Sequence, residues 1–264
     1  PGPWMSKKIQ RHERILSALD ANPSIRVNEL ADELGVSSET VRRDLTELDN
    51  TGRITRTYGG AVRTKTFEPA LAERSKLHIE ARESIARLAV ARVGDANSLF
   101  IGGGATLLHF ARALRTIERR LTVLTPAFSI ATELSTNPLI EVMALPGIVE
   151  PKEGLVLGGE TLKCIAQFRT PLAVVGASAV DAEGVSEALL NAAQVYAAMI
   201  QNADETLVLA DSSKFGARSL QQIAGLRKGL CLITDRAPDS TMQAAIRQSG
   251  AELIYDKTST EPAA

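Results

Sequence analysis

Three consecutive glycines, Gly102, Gly103 and Gly104, interrupt the stretch NSLFIGGGATLLHFARAL. An apolar run from Ser98 to Ile101 precedes them, and a helix-period pattern through Leu108, Ala111 and Leu114 follows. Strand, glycine turn and helix N-terminus leave backbone N–H groups unpaired, where the helix dipole also favours an anion. Ala105 and Thr106 complete the turn, and the Thr106 hydroxyl is a further donor for an oxyanion. A second strand-like end, VLADSSKFG, supplies Asp211, Ser212, Ser213 and Lys214, the last a point cation suited to phosphate. Each feature also has a plainer reading, a tight strand-to-helix connection for the glycines and a solvated surface lysine for Lys214.

A different chemistry sits near the start of the chain. Arg42, Arg43, Arg53, Arg56, Arg63 and Lys65 crowd into one short stretch, although the net charge of the whole is only -1. HERILSALDAN buries Ile15, Leu16 and Leu19, and Pro23 follows its end. RVNELADELG places Val27, Leu30, Ala31 and Leu34 on one face and stops at Gly35. VSSETVRRDLTELDNTG then restarts a helix, with Ser37 or Ser38 as N-cap and Val41, Leu45 and Leu48 as its inward stripe. That phase leaves Ser38, Glu39, Thr40, Arg42 and Arg43 outward, near the turn. Helix, glycine turn and polar-faced helix is the helix-turn-helix arrangement, which reads the major groove with the N-terminal residues of its second helix. GRITRTYGGAV adds a hairpin with a strand from Ile54 to Thr57 and a Gly59-Gly60 turn, a wing that carries Arg56 and Tyr58 toward the DNA. Two arginines on a helix mean little alone, but cap, turn, stripe and wing agree.

Length suggests two domains. No run approaches the roughly 20 apolar residues that span a bilayer. The two cysteines, Cys164 and Cys231, lie far apart without a CxxC pair, so a reduced, cytoplasmic setting is expected. His12, His78 and His109 have no partners at metal-ligand spacing, and no metal or cofactor is expected. Pro1-Gly2-Pro3-Trp4, ahead of Met5, reads as a tag remnant.

After a polar linker, a long helix pattern from Ile79 to Val93 leads into seven apolar runs, SLFI, LTVLT, EVMAL, LAVVGAS, TLVLAD, LCLIT and ELIY. Helix-length segments separate most of them, which predicts βαβ units and a mostly parallel sheet buried on both faces. The expected organisation is a winged helix-turn-helix over 7–63, a linker over 64–78, and a larger Rossmann-like α/β sensor domain over 79–258. The glycine turn then lies beyond the carboxyl end of a strand, where open parallel sheets bind ligands.

The N-terminal stretch, especially VSSETVRRDL and RTYGGA, resembles the winged helix-turn-helix of the DeoR/GlpR family of bacterial transcription regulators. VLADSSKFG resembles a motif of that family's sensor, so the likeness covers essentially the whole chain. The resemblance implies a repressor of carbohydrate catabolism genes on double-stranded operator DNA, released by a sugar phosphate or related anionic sugar. It also implies a sensor related in fold to sugar-phosphate isomerases. Residue by residue it assigns DNA contacts to Ser37, Ser38, Glu39, Thr40, Arg42, Arg43, Arg56 and Tyr58. It assigns the effector to Gly102, Gly103, Gly104, Ala105, Thr106, Thr125, Glu150, Ser178, Gln194 and Lys214.

The departures from the family pattern are several. Gly102 stands where the family has Asp, Ala105 at its first Thr, Pro126 at an Asn and Glu150 at an Arg. Gly176-Ala177-Ser178-Ala179 replaces Gly-Ala-Asp-Gly, and Gln194 and Tyr196 replace a Glu and a Lys. With these small residues and with Tyr196 and Phe128, the pocket is expected to be roomier and more apolar, for an effector larger or less hydroxylated than a hexose phosphate. An enzyme on the similar fold would need a carboxylate base beside the substrate, and Pro126, Ser178, Ala179 and Gln194 are poor candidates, so no catalysis is expected. A reader whose second domain only oligomerises is the alternative. One winged helix covers few base pairs, so a homo-oligomer, dimer or tetramer, is expected.

Overall fold

A computed structural model describes residues 7–21, 25–50, 54–57, 60–63 and 71–257. The chain divides into two compact units, residues 1–69 and 70–264.

In the first unit, α1 (Lys7–Ala21), α2 (Val27–Leu34) and α3 (Ser38–Asn50) are followed by an antiparallel hairpin of β1 (Ile54–Thr57) and β2 (Gly60–Arg63). Ile15, Leu16, Leu19, Leu30, Val41, Leu45, Leu48 and Ile54 form its core and are essentially fully buried. Each such side chain contributes roughly 1.5–3 kcal/mol relative to exposure. Gly35 ends α2 at φ 66°, the left-handed conformation that glycine adopts without a Cβ penalty. The turn between β1 and β2 differs from the expected Gly59-Gly60. Thr57 pairs with Gly60, so Gly60 belongs to the return strand; Gly59, like Tyr58 and Pro23, lies outside the described residues.

The second unit begins with α4 (Leu71–Arg74) and α5 (Ile79–Val93). The α/β succession is β3 (Ser98–Ile101), α6 (Ala105–Leu114), β4 (Leu121–Thr125), α7 (Phe128–Leu134) and β5 (Ile140–Ala144). A hairpin of β6 (Ile148–Glu150) and β7 (Leu155–Leu157) leads to α8 (Gly159–Ile165) and β8 (Thr170–Gly176). Then come β9 (Ala179–Asp181), β10 (Gly184–Glu187), α9 (Leu190–Gln201), β11 (Ala203–Leu209), a 3₁₀ turn (Ser212–Lys214) and β12 (Gln221–Gly225). The last elements are β13 (Leu230–Thr234), α10 (Ser240–Ser249) and β14 (Glu252–Tyr255).

Seven strands form one sheet in the order β14-β13-β11-β8-β3-β4-β5, every pairing parallel. They correspond to the seven apolar runs, because strands buried on both faces carry apolar residues continuously; the edge strands β5 and β14 are only partly buried, so the expected burial on both faces holds for the inner strands. From β3 the chain moves outward through β4 and β5, returns to β8 beside β3, and moves out the other way. α6 packs against α7 and α9 against α8, and the right-handed rule for parallel crossovers, applied in the two opposite directions, puts these pairs on opposite faces. The reversal between β3 and β8 is the topological switch point, where such sheets hold ligands. β9, β10 and β12 form a separate antiparallel sheet.

Two details differ from the sequence expectation. The buried stripe of α6 runs through Leu107, Phe110, Ala111 and Leu114, while Leu108 is only half-buried. Residues 71–78, expected to be linker, pack on the sheet unit instead. The Leu71 N–H donates to the Lys152 carbonyl (3.3 Å), and Arg74 pairs with Glu153 at 2.6 Å.

Candidate functional site

In the first unit, α3 begins with a side-chain cap. The Ser37 hydroxyl accepts the Thr40 N–H at 3.2 Å and contacts the Thr40 hydroxyl at 2.9 Å. Such a cap satisfies one of the orphan donors at a helix start and contributes about 1 kcal/mol. Ser38 donates to the Asn28 side chain of α2 (3.0 Å), which ties the two helices at their turn. Glu39, Arg42 and Arg43 are exposed, and Ser38 and Thr40 half-buried. Arg42 faces Glu39 across one turn at 3.9 Å, a solvent-exposed pair worth well under 1 kcal/mol, so its guanidinium is readily given up to a phosphate or base. Arg56 lies in β1 opposite Ala61, its side chain outside the described part.

One element of this unit was not legible in the sequence. Asp44, on α3, is buried beneath Arg11 and His12 of α1, with Arg11 Nη2 donating at 3.0 Å and His12 Nε2 within 3.1 Å. Burial works against the Asp44 carboxylate, but hydrogen bonds and charge from Arg11 and His12 outweigh it and hold its pKa below the usual range. His12, apparently isolated in sequence, thus belongs to the clamp that fixes α3.

In the second unit, the glycine turn sits at the switch point as expected, but its amides are not all open. The Gly102 N–H continues the ladder to the Val174 carbonyl at 2.9 Å. The Gly103 N–H donates to the Tyr196 hydroxyl at 3.1 Å, and that hydroxyl returns a long bond to the Gly103 carbonyl (3.4 Å). A Cβ at Gly102 would meet the Tyr196 ring at 2.9 Å, and one at Gly103 would meet Leu155 Cδ2 at 2.2 Å. At Gly102 the space expected to be left open is therefore filled by Tyr196, and Leu155 closes the space beside Gly103. Gly104 has φ 111°, a conformation other residues rarely adopt, and turns the chain into α6. With no side-chain cap there, the first amides of α6, from Ala105, Thr106 and Leu107, keep no helical partner.

Other residues assigned by the resemblance have partners of their own. The Thr125 hydroxyl is buried, accepts the Ala127 N–H (3.1 Å) and faces the Gly102 carbonyl at 3.4 Å. The Ser178 hydroxyl donates to Glu187 at 2.8 Å, and the same carboxylate oxygen accepts the Ala188 and Leu189 N–H groups at the start of α9. Glu150 ends β6 opposite Leu155, its carboxylate on the Lys152 N–H (3.3 Å). Gln194 is not gathered with them. It is exposed on α9, two residues and so about 200° of helix rotation from the buried Tyr196.

Lys214 closes the 3₁₀ turn beyond β11, half-buried, with its N–H on the Asp211 carbonyl at 3.0 Å. Both serine hydroxyls of the turn are committed, Ser213 to the Asp211 carboxylate and Ser212 to Asp235 at 3.0 Å. These bonds make the motif a scaffold that presents Lys214. Asp211 and Asp235 are both buried. β3 and β11 flank β8, so their carboxyl ends are roughly 10 Å apart along one edge of the sheet. Among the described residues, no three His, Cys, Asp or Glu side chains are placed to hold a metal ion, and no helix is long and apolar enough to cross a membrane.

A helix-turn-helix with an outward basic face, followed by a doubly wound parallel sheet, defines a DNA-reading protein with a separate sensor-type domain. The comparisons with known proteins give its family. Residues 11–67 match the DeoR-like helix-turn-helix domain, and residues 77–236 match the DeoR C terminal sensor domain. The chain belongs to the DeoR family of transcriptional regulators and is a regulator rather than an enzyme. It is 30% identical to the HTH-type transcriptional repressor CsqR of Escherichia coli (strain K12), covering 92% of this chain and 94% of that one. It is 28% identical to the HTH-type transcriptional repressor GlcR of Bacillus subtilis (strain 168), covering 93% and 96%. It is also 28% identical to the Glycerol-3-phosphate regulon repressor of Escherichia coli (strain K12), covering 90% and 95%. Among solved structures, ribose 5-phosphate isomerase A from Methanocaldococcus jannaschii aligns over 52% of this chain and 54% of that one, at 19% identity and a TM-score of 0.39.

Proposed function

We propose that this protein is a cytoplasmic repressor of carbohydrate-utilisation genes, released from its operator by a small anionic effector such as a phosphorylated sugar. The observation that carries the reading is the strand-end geometry. Unpartnered amides at the start of α6 and the Lys214 turn beyond β11 lie on the same carboxyl edge, on either side of the switch point. Amides at a helix start and a lysine cation are what an oxyanion requires. The names of the relatives support repression and, for one of them, a phosphorylated polyol. Ser37, Ser38, Glu39, Thr40, Arg42 and Arg43 form the proposed reading surface, with Arg56 and Tyr58 on the wing.

The effector acts by linkage, stabilising one arrangement of the reader over another in a homo-oligomer that spans paired half-sites. A thermal-shift panel on the full chain, with sugar phosphates, polyol phosphates, sulfonated sugars and uncharged sugars, tests this. A hit that needs its anionic group, releases operator DNA and is lost in Lys214→Ala is the expected result. Undiminished binding of that compound by Lys214→Ala contradicts the anion assignment. A second reading, in which the sheet unit only oligomerises, is favoured by the filling of the Gly103 turn by Tyr196 and Leu155. Stabilisation by no compound in the panel selects it.

A further inference from the structure

Tyr196 is the one side chain among the described residues that hydrogen-bonds the glycine turn at Gly103, and it is buried to 3% exposure. Its ring lies where a Cβ on Gly102 would be, so Gly102 and Tyr196 are fitted to each other. The hydroxyl sits on the Gly103 N–H, one of the donors that a strand-glycine-helix turn offers to an anion. The surroundings reinforce this. The Glu187 and Glu153 carboxylates act on the same hydroxyl and help burial to push its ionisation up, so it stays a neutral phenol. An oxyanion in its place would meet the field of the same two carboxylates, and Arg74, which counters them, is already paired with Glu153.

We propose that Tyr196 is the specificity-determining residue of the effector site. It is a built-in occupant of the Gly103 amide, and it restricts the site to effectors with a single anionic end and an uncharged remainder. This rests on the effector reading given above. The anionic end is then held by the first amides of α6 and by Lys214, while the part of the ligand nearest β3 meets a phenol rather than a free N–H. A hydrogen bond to a charged oxygen is worth about 1.5–3 kcal/mol, so closing one amide weakens a phosphate seated on it by about tenfold or more.

The test uses the full-length protein with inorganic phosphate and glucose 6-phosphate as probes, by calorimetric titration of parent, Tyr196→Phe and Tyr196→Ala. Tyr196→Ala, which uncovers the amide, is expected to bind both probes about tenfold more tightly than the parent. In parallel, hydrogen exchange at the Gly103 amide is read in parent and Tyr196→Phe, which keeps the ring and supplies the result should Tyr196→Ala fold poorly. Loss of one hydrogen bond is expected to speed exchange at Gly103 about tenfold in Tyr196→Phe, with amides of the distant β13 unchanged. Equal exchange at Gly103, or probe binding by the parent as tight as by Tyr196→Ala, overturns the proposal. Fast exchange in Tyr196→Phe without probe binding by any variant upholds Tyr196 as the occupant of the amide and rejects the anion reading of the site instead.

Discussion

Arg82 of α5 and Asp211 at the end of β11 face each other across 3.9 Å with both side chains buried. Arg82 also donates to the carbonyl oxygens of Arg74, at the end of α4, and of Leu77, at 2.6 Å, in the turn that leads through His78 into α5. His78 holds φ 52° there, a left-handed conformation that costs a non-glycine residue about 1–2 kcal/mol. The strand end that presents Lys214 is thus joined, through one guanidinium, to the segment that leads back to the DNA-reading unit.

Removing one partner of a buried charge pair strands the other. Asp211→Ala is therefore expected to destabilise the sheet unit by about 3 kcal/mol. Urea unfolding followed by far-ultraviolet circular dichroism measures it, and a loss below about 1 kcal/mol would show that the pair carries little.

Gly103 and Leu155 form a second tight contact. Gly103→Ala forces its Cβ against Leu155 and is expected to cost about 1–3 kcal/mol. Adding Leu155→Ala relieves the clash, so the double variant should be more stable than the sum of the single losses by at least about 1 kcal/mol. Thermal unfolding of the four proteins of the cycle checks the sign, and simple additivity contradicts the contact.

On the DNA side, Arg42→Ala and Arg43→Ala should each weaken binding to an operator selected from random sequence by about 1–3 kcal/mol where the arginine reaches a base. If the contact is to phosphate, the loss is uniform across sequences and the salt slope falls by about one. Fluorescence anisotropy across a salt series distinguishes the two. Parent-like binding by both variants rules out α3 as the recognition helix.

Asp44 gives the reader a pH dependence. Its pKa in the folded state lies below the ordinary value, so its stabilisation is complete above the unfolded value of about 3.9 and is lost as pH falls through the lower folded value. The first unit should lose stability on acidification below about pH 4, and Asp44→Asn should flatten that profile. Hydrogen exchange of α3 amides, followed from pH 5 to pH 3, reads the difference.

The parallel sheet was legible because its inner strands are buried on both faces and stand out as apolar runs. The short strands β6, β7, β9, β10 and β12 left no such trace; Ile148 and Val149 of β6 are largely exposed. On α6, Ala111 and Leu114 lie in the buried stripe as the period implies, and only in the first turn does Leu107 rather than Leu108 face the core. The glycine turn and Lys214 could be found at strand ends because strand ends and glycines are local signals. That Tyr196 and Leu155 fill the space beside Gly102 and Gly103 could not, since those contacts join residues far apart in sequence. The clamp of Arg11 and His12 on Asp44 was hidden for the same reason, as was the bond of Ser212 to Asp235.

The strand order has a consequence for synthesis. β3 is the first strand of the seven-stranded sheet to be made and lies inside it, beside the central β8, so one of its sides waits for β8, and the sheet is completed outward to β14. The reader needs none of this, because its core is drawn from contacts among residues near the N-terminus. A nascent chain therefore carries a finished DNA-binding head well before it carries a sensor. Only when the last strands dock does the protein have the second domain through which we propose it senses its effector.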